Sequence, residues 1–188
     1  MSEVVLLRHA ETAWSAAGKH TGRTDVPLTD RGRELARALG ARIGGRPFRL
    51  ALTSPLSRAR ETAELAGLHA EPDPDLLEWD YGEYEGRTTA EIREERPDWL
   101  LWRDGVPGGE HAADVAARTD RVIARVLAGL EGTDEDACLV AHGHVLRVLA
   151  ARWLEQDPAF GGRLWLQTGS LSTLGWEREV RVIRGWNL

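Results

Sequence analysis

The stretch Val4-Val5-Leu6-Leu7-Arg8-His9 decides the fold, because four apolar residues run directly into two that can carry chemistry. An uninterrupted apolar run of this length, rich in valine, predicts a short buried strand. Comparable runs at Leu50–Thr53 and Cys138–Ala141 predict two more strands. Helical patterns separate these runs, and the alternation of strand and helix predicts an α/β layer fold with a largely parallel sheet.

Helix and turn signals organise the rest of the chain. Ala10–Leu28 contains two glycines and a proline and predicts a long loop, of a length that is usually functional. Thr88 and Glu91 have the spacing of a capping box ahead of a short helix. Further helices are predicted from Thr29 to Gly44, from Pro55 to about Ala66, from Pro97 through Trp102, from Val115 to Leu130 and from Gly143 to Leu154, with closing strands at Ser170–Trp176 and Glu179–Trp186.

Composition excludes several classes of protein. The 188 residues suit one domain, residues 1–188. A net charge of −6 argues against a nucleic-acid binder that relies on a positive surface. Cys138 is the single cysteine, so neither a disulfide framework nor a four-cysteine zinc site can form within the chain. The apolar runs are too short to cross a bilayer, and no signal peptide is evident, so we expect no membrane partner and a location in the cytoplasm.

Residues suited to catalysis follow each of the three predicted strands. Arg8-His9 follows the first, Arg58 comes shortly after the second, and His142-Gly143 follows the third. Ligands of parallel sheets bind beyond the carboxyl ends of the strands, so we expect these side chains to meet in one crevice. Glu78, in an irregular stretch of sequence, adds a candidate carboxylate.

This set of residue types fits phosphoryl transfer without a metal. Arginine forks clamp phosphate oxygens, and a neutral imidazole can attack phosphorus and hold the phosphoryl group covalently. A nearby carboxyl group can protonate the leaving oxygen and later accept a proton from the attacking water. If His9 is the nucleophile and Glu78 the acid, neighbouring arginines should lower the pKa of His9, and a bell-shaped pH profile centred on the acidic side is predicted.

Less specific interpretations apply to the same residues. A histidine at a strand end is more often structural than catalytic. His142 and His144 form only a weak metal-binding pattern, and Ser57 lacks the surroundings of a serine-hydrolase nucleophile. The sequence contains no phosphate-binding loop of the type found in nucleotide-hydrolysing enzymes. Cys138 is predicted to be a core residue, and Arg60 is predicted to be a surface charge.

Five motifs, in order across about residues 4 to 150, resemble those of the histidine phosphatase superfamily, the phosphoglycerate mutase-like proteins. The family patterns L-x-R-H-G-E-T, T-G-x-x-D-x-P-L-T-x-x-G, S-P-L-x-R-A-x-x-T-A, E-x-x-Y-G-x-x-E-G and A-H-G-x are matched in turn by Leu6–Thr12, Thr21–Gly32, Ser54–Ala63, Glu78–Gly86 and Ala141–His144. The resemblance implies a three-layer α/β/α fold with a mostly parallel central sheet.

The resemblance also implies roles for individual residues. His9 is implied to become phosphohistidine, and Glu78 to be the proton donor. The implied partners in the phosphate pocket are Arg8, Arg58 and His142, and the further substrate-binding residues are Ser15, Thr21, Gly22 and Gly143. No metal and no cofactor are implied.

Some positions depart from the family pattern. Ala10 replaces the usual glycine after the nucleophile, which is harmless only if its φ is negative. Ser15 stands where many members have asparagine, and His111 replaces a small hydroxyl residue after Gly108-Gly109-Glu110. The roles of Glu110 and His111 therefore stay open. His144 is expected to shape the rim of the pocket, without an assigned chemical role. Residues 83–110 are interpreted as a lid or substrate-specificity insertion within the single domain.

The short chain favours hydrolysis over mutase activity, because cofactor-dependent mutases carry a longer insertion. Tryptophan-rich segments resemble the branch that contains broad-specificity acid phosphatases and sedoheptulose bisphosphatase. The expected activity is hydrolysis of small phosphorylated metabolites, such as sugar phosphates, and family analogy allows a homodimer. The alternatives are a phosphoglycerate mutase-type phosphotransferase, a phosphohistidine-protein phosphatase and a non-catalytic phosphate-binding module.

Overall fold

Three parallel and two antiparallel pairings join six strands into one sheet in the computed structural model, which describes residues 2–188. The spatial order is β3-β2-β4-β1-β5-β6. The strands are β1 Val4–Arg8, β2 Phe48–Thr53, β3 Glu71–Pro72, β4 Asp136–Ala141, β5 Leu171–Glu177 and β6 Val180–Gly185. The helices are α1 Ala13–Ala16, α2 Asp30–Ile43, α3 Ser57–Leu65, α4 Thr89–Glu95, α5 Leu101–Asp104, α6 Ala112–Leu130 and α7 Gly143–Trp153, with 3₁₀ turns at Pro74–Leu76, Gly82–Tyr84 and Pro158–Arg163.

Alternation along β1 assigns the helices to the two faces of the sheet. Val4 and Leu6 belong to the larger core, which is shared with α6 and α7. Val5 and Leu7 belong to the smaller core on the opposite face, which is shared with α2 and α3. Both faces of the strand are buried, so its four consecutive apolar residues are all needed, and the predicted three-layer α/β/α arrangement with a mostly parallel sheet is confirmed.

The segment 83–110 shares the larger core with the sheet. Tyr84, Ile92, Trp99 and Leu101 are buried in that core. Its first helix, α4, begins with the predicted capping box between Thr88 and Glu91. The role of this segment as a lid stays a prediction. Among residues 2–188, no helix is both long enough and apolar enough to span a membrane.

Several predicted element bounds were wrong, and three of them have clear physical causes. The loop after β1 contains the short helix α1, which Thr12 and Ser15 cap reciprocally. Helix α3 starts at Ser57 rather than Pro55, because Asp25, distant in sequence, accepts hydrogen bonds from the Ser57 backbone and hydroxyl. The helix expected from Pro97 starts only at Leu101, because the preceding turn is used to bury Trp99.

The carboxyl ends of β2, β4 and β1 lie side by side, which brings the three predicted clusters to one edge. Ser54 N donates to Val140 O at 2.9 Å, and His9 N donates to Ala141 O at 2.8 Å. The backbone hydrogen bonds of the sheet therefore continue one residue past the ends of β1 and β2. It fixes the residues that follow β1 and β2 relative to the start of α7.

Gly32 lets α2 pack directly on the loop behind His9. A Cβ at this position would lie 2.2 Å from the carbonyl oxygen of Glu11, whereas a Cβ on Gly129 in α6 would meet only Leu50 at 3.4 Å. We expect Gly32→Ala to lower the free energy of unfolding by about 1–3 kcal/mol through overpacking. Gly129→Ala, the matched helical control, should raise it by roughly 0.5–1 kcal/mol. Urea unfolding of the two variants checks this, and equal effects would contradict the packing argument.

Candidate active site

A cavity of about 420 Å³ opens at the carboxyl edge of the sheet. Six of the predicted site residues line it: Arg8, His9, Ser15, Thr21, Glu78 and Gly143. The other three, Gly22, Arg58 and His142, lie behind this lining.

The contacts of His9 fix which nitrogen can act as a nucleophile. Nδ1 lies 2.7 Å from the carbonyl oxygen of Ala10. A carbonyl can only accept a hydrogen bond, so Nδ1 carries the proton of the neutral ring. Nε2 is then left with its lone pair free. The imidazole is 4% exposed and forms part of the cavity wall.

The surroundings of His9 keep its imidazole neutral. Burial lowers the pKa of His9 well below 6.5, and the positive charges of Arg58 and Arg8 lower it further. The sequence argument gave the arginines as the cause, but desolvation is the larger effect. A neutral ring at and below neutral pH is the form required of a nitrogen nucleophile.

Arg8 presents a donor with no partner in the protein. Its Nη1 donates to Leu166 O at 2.6 Å, and its Nε is buried without a hydrogen-bond partner in the described chain. The segment that holds Arg8 is itself tied to the end of the chain, because Trp165 O accepts hydrogen bonds from Trp186 Nε1 at 2.5 Å and Asn187 Nδ2 at 2.8 Å. Arg8 Nη2 also forms no hydrogen bond within residues 2–188, and it is not one of the buried unpaired atoms, so this is the group that an oxyanion in the cavity can reach.

His142 and Arg58 form a buried layer under His9. The rings of His142 and His9 lie 5.1 Å apart, and His142 is fully buried. Arg58 Nε donates to His142 Nδ1 at 3.1 Å, so the ring proton lies on Nε2, which donates to Ser54 Oγ at 2.7 Å. Both nitrogens of His142 are thus bonded to protein. Burial, followed by the charge of Arg58, lowers the pKa of His142 well below 6.5.

Three carbonyl groups of one loop bind the guanidinium of Arg58. Nη1 donates to Thr24 O at 2.9 Å, and Nη2 donates to Thr21 O and Gly22 O, both at 3.0 Å. The Glu85 carboxylate accepts from Gly22 N at 2.8 Å and from Thr24 N at 3.1 Å, which holds the same loop from its other side. Direct contact of Arg58 and His142 with phosphate stays a prediction, because this structure shows them bonded to the protein.

Backbone N–H groups hold the Glu78 carboxylate at the start of α7. Oε1 accepts from Trp79 N and Val145 N, both at 2.9 Å, and Oε2 accepts from His144 N at 3.0 Å. The side chain is 4% exposed and still lines the cavity. Glu78 and His9 are therefore fixed carboxyl and imidazole groups on one cavity, which is the pairing that acid–base assistance to a nucleophile requires.

Comparison with known proteins agrees with this geometry. Residues 4–188 match the sequence model of the Histidine phosphatase superfamily (branch 1). This chain belongs to the histidine phosphatase superfamily. It is 44% identical to an acid phosphatase of Mycobacterium tuberculosis, over 96% of this chain and 89% of that protein. It is 37% identical to sedoheptulose 1,7-bisphosphatase of Saccharomyces cerevisiae, over 79% of this chain and 66% of that protein.

A solved structure from Mycobacterium tuberculosis is also similar. It is the structure of an open reading frame that is 42% identical to this chain, and the two superpose with a TM-score of 0.94 over 100% of this chain and 97% of the other. The chain is thus a histidine phosphatase with a phosphoglycerate mutase-like fold, and the resemblance read from its motifs is confirmed.

The departures from the family pattern have simple structural outcomes. Ala10 is absent from the residues with positive φ, so its methyl group causes no backbone strain. Ser15 lines the cavity, but its hydroxyl donates to Thr12 O and accepts from Thr12 N within the cap of α1. Gly22 does not line the cavity, and its N–H is bonded to Glu85. Its binding of substrate stays a prediction.

Sequence reasoning missed the pair that supports Glu78. Arg118 in α6 donates to both carboxylate oxygens of Glu110, at 2.9 and 3.0 Å. Arg118 also donates to Leu77 O, and Glu110 accepts from Asp80 N at 2.8 Å, so the pair holds the backbone on both sides of Glu78. The G-G-E motif pointed to Glu110, but nothing in the sequence connected it with Arg118. His111 is the N-cap residue of α6.

Two further histidines line the cavity: His20, which no motif assigned to the site, and His144, which the sequence analysis placed at its rim. His20 lies 4.7 Å from the ring of Tyr81, and His144 lies 5.8 Å from the same ring. Burial lowers the pKa of His20 to about 4 and that of His144 well below 6.5. Within residues 2–188, no group of three or more histidine, cysteine or acidic side chains is placed to hold a metal ion.

Burial of His20 should make the fold sensitive to acid. Its pKa is about 4 in the folded protein and 6.5 in the unfolded chain, so between these values the unfolded chain binds more protons. Stability therefore falls as pH drops below 6.5, by up to about 3 kcal/mol from this group near pH 4. We expect His20→Phe to lose less unfolding free energy than the wild type between pH 7 and 4.5.

Urea unfolding of both proteins at several pH values measures this difference. All carboxylates are common to the two proteins, so their contribution cancels in the comparison. His69→Phe is the matched control, since His69 is exposed, and it should unfold with the pH dependence of the wild type. Parallel stability curves for His20→Phe and the wild type would contradict the assignment.

Proposed function

We propose that this histidine phosphatase hydrolyses small phosphorylated metabolites, sugar phosphates or similar compounds, through a phosphoryl group held on His9 Nε2. The observation that carries the proposal is the hydrogen bond between His9 Nδ1 and Ala10 O, which leaves Nε2 as the unprotonated nitrogen of a neutral ring. The similarity to an acid phosphatase and to a sugar bisphosphatase supports the substrate class.

In the first step, His9 Nε2 forms a bond to phosphorus as the ester bond breaks. Glu78 gives its proton to the departing oxygen, which leaves as an alcohol. The guanidinium of Arg8 stabilises the charge on the transferring phosphoryl group, with the charge of Arg58 acting from the layer below. These cations are fixed before substrate arrives, so little reorganisation is needed.

In the second step, water attacks the phosphoryl group and the bond from phosphorus to Nε2 breaks. The Glu78 carboxylate takes the proton of that water, which returns the acid to its starting form and releases inorganic phosphate. His142 helps to hold Arg58 in place beneath the ring of His9, because its two ring nitrogens join Arg58 to the Ser54 hydroxyl.

His9→Ala tests the nucleophile. With a chelator present, the wild type should release phosphate from a panel of phosphomonoesters, and His9→Ala should lose activity by roughly 10³-fold or more. His69→Ala, which removes an exposed histidine, is the matched control and should be unaffected. Rapid quenching with labelled substrate should trap an acid-labile phosphoenzyme in the wild type only. A fully active His9→Ala variant would exclude the proposal.

The same assays separate the alternative activities. Interconversion of phosphoglycerates that is stimulated by a bisphosphate would identify a phosphotransferase. Turnover of a phosphohistidine protein without turnover of small esters would identify a protein phosphatase. A homodimer, a bacterial source and the cytoplasm as location remain part of this proposal, and the similar bacterial acid phosphatase supports the second of these.

The pH profile of kcat/KM should be bell-shaped and centred on the acidic side. His9 attacks only when neutral, and because its pKa is lowered well below 6.5 it stays neutral into the acidic range. Departure of the leaving group as an alcohol consumes a proton, so the rate should fall as pH rises. Steady-state assays from pH 4 to 9 measure the profile. A rate that climbs steadily to alkaline pH would contradict these roles.

A further inference from the structure

We propose that His144 donates a hydrogen bond from its Nε2–H to an oxygen atom of the leaving group, and that Tyr81 is the positioning residue that fixes this tautomer. The inference rests on the proposed function and deepens it, since it specifies which leaving groups the cavity prefers. The sequence analysis placed His144 at the rim of the pocket but gave it no chemical role.

The contact between Tyr81 and His144 has one consistent direction. Tyr81 Oη lies 2.5 Å from His144 Nδ1, and Tyr81 is 2% exposed. Burial raises the pKa of Tyr81 well above 10, so the phenol keeps its hydrogen. His144 Nδ1 is the hydrogen-bonding partner that residues 2–188 offer to this hydroxyl. The phenol therefore donates and Nδ1 accepts, because the reverse would bury an unpaired O–H.

The remaining nitrogen of His144 is then a donor. Burial, followed by the charge of Arg147, lowers the pKa of His144 well below 6.5, so the ring holds a single proton. With Nδ1 accepting, that proton is on Nε2. Nε2 has no hydrogen-bond partner in the described part of the chain, and it is not one of the buried unpaired atoms, so it reaches open space.

The open space next to Nε2 is the cavity. The imidazole lines this cavity together with His9 and Glu78. Elsewhere the ring packs against Trp102 and Trp79, with ring centroids 5.3 and 6.3 Å away. These contacts fix the plane of the imidazole, so Nε2–H is an oriented donor on the cavity wall.

The position of His144 connects this donor with the proton donor. The backbone N–H of His144 binds Glu78 Oε2 at 3.0 Å, so the two residues are fixed to each other. When the ester oxygen lies at Glu78, the adjoining atoms of the leaving group lie beside His144. A neutral donor there favours a hydroxyl, ether or carboxylate oxygen in the leaving group over plain hydrocarbon. Phosphates of polyols and sugars have this chemistry, and simple alkyl phosphates do not.

Matched substrates test the donor. The pairs are glycerol 3-phosphate with propyl phosphate, and glucose 6-phosphate with cyclohexylmethyl phosphate. We expect His144→Phe to lower the preference in kcat/KM for the oxygenated member of at least one pair by about 3- to 10-fold, the effect of one hydrogen bond. His144→Gln, whose amide can place a donor near the same point, should recover part of the preference. Equal losses on both members of each pair would overturn the proposal.

The tautomer is tested without turnover. Nitrogen-15 spectra of the wild type should show His144 with a bare Nδ1 and a protonated Nε2 through neutral pH. Tyr81→Phe keeps the aromatic ring but removes the hydroxyl, so a mixture of tautomers and a smaller preference for oxygenated substrates are expected. A protonated Nδ1 in the wild type would overturn the role of Tyr81 and of the donor.

Binding separates failure of this inference from failure of the proposed function. In the His9→Ala background, calorimetry gives the dissociation constants of the same four phosphates with and without His144→Phe. If His144→Phe reduces the preference for oxygenated phosphates in binding, the result supports His144 as a hydrogen-bond donor. Failure of the wild type to hydrolyse any of the four phosphates would then count only against the proposed hydrolysis. If the wild type is active but His144→Phe leaves the preference in binding unchanged, the result excludes the role of His144 and leaves the proposed function intact.

Discussion

The hydrogen bond from Arg58 to His142 is the constraint on which the rest of the site depends. Arg58 is a buried guanidinium whose partners are three carbonyl oxygens and an imidazole nitrogen. A buried charge is costly unless its donors are satisfied, so the loop at Thr21–Thr24 must fold against it. That loop, the start of α3 and the start of α7 are thereby held in one arrangement.

The same arrangement explains why so many neutral imidazoles cluster here. His9, His20, His142 and His144 all have a lowered pKa, with burial as the largest cause. Each neutral ring has one donor and one acceptor nitrogen, and the surrounding partners determine which is which. For His9, His142 and His144 those partners are a carbonyl, a guanidinium and a phenol. The site therefore uses histidine as an oriented polar group rather than as a cation.

The fold could be predicted from sequence because its signals are local. Buried strands, their polar ends and the capping box at Thr88 each lie within a few adjacent residues. The elements that were misplaced depend on distant partners, as when Asp25 sets the start of α3. The site shows the same division between local and distant signals. Local motifs were enough to identify His9 and Glu78. The pairing of Arg118 with Glu110, and the bonding of both nitrogens of His142, arise only from tertiary packing.

The segment Trp165-Leu166, which holds Arg8, has a consequence for how the protein is made. Leu166 O binds Arg8, and the adjacent Trp165 O is held by Trp186 and Asn187. An arginine from the first strand thus depends on two residues that follow the last strand, β6. During synthesis from the N-terminus, the segment around Leu166 can be held in this way only after β6 and Asn187 have been added. A nascent chain can therefore form part of its sheet before its anion pocket is complete.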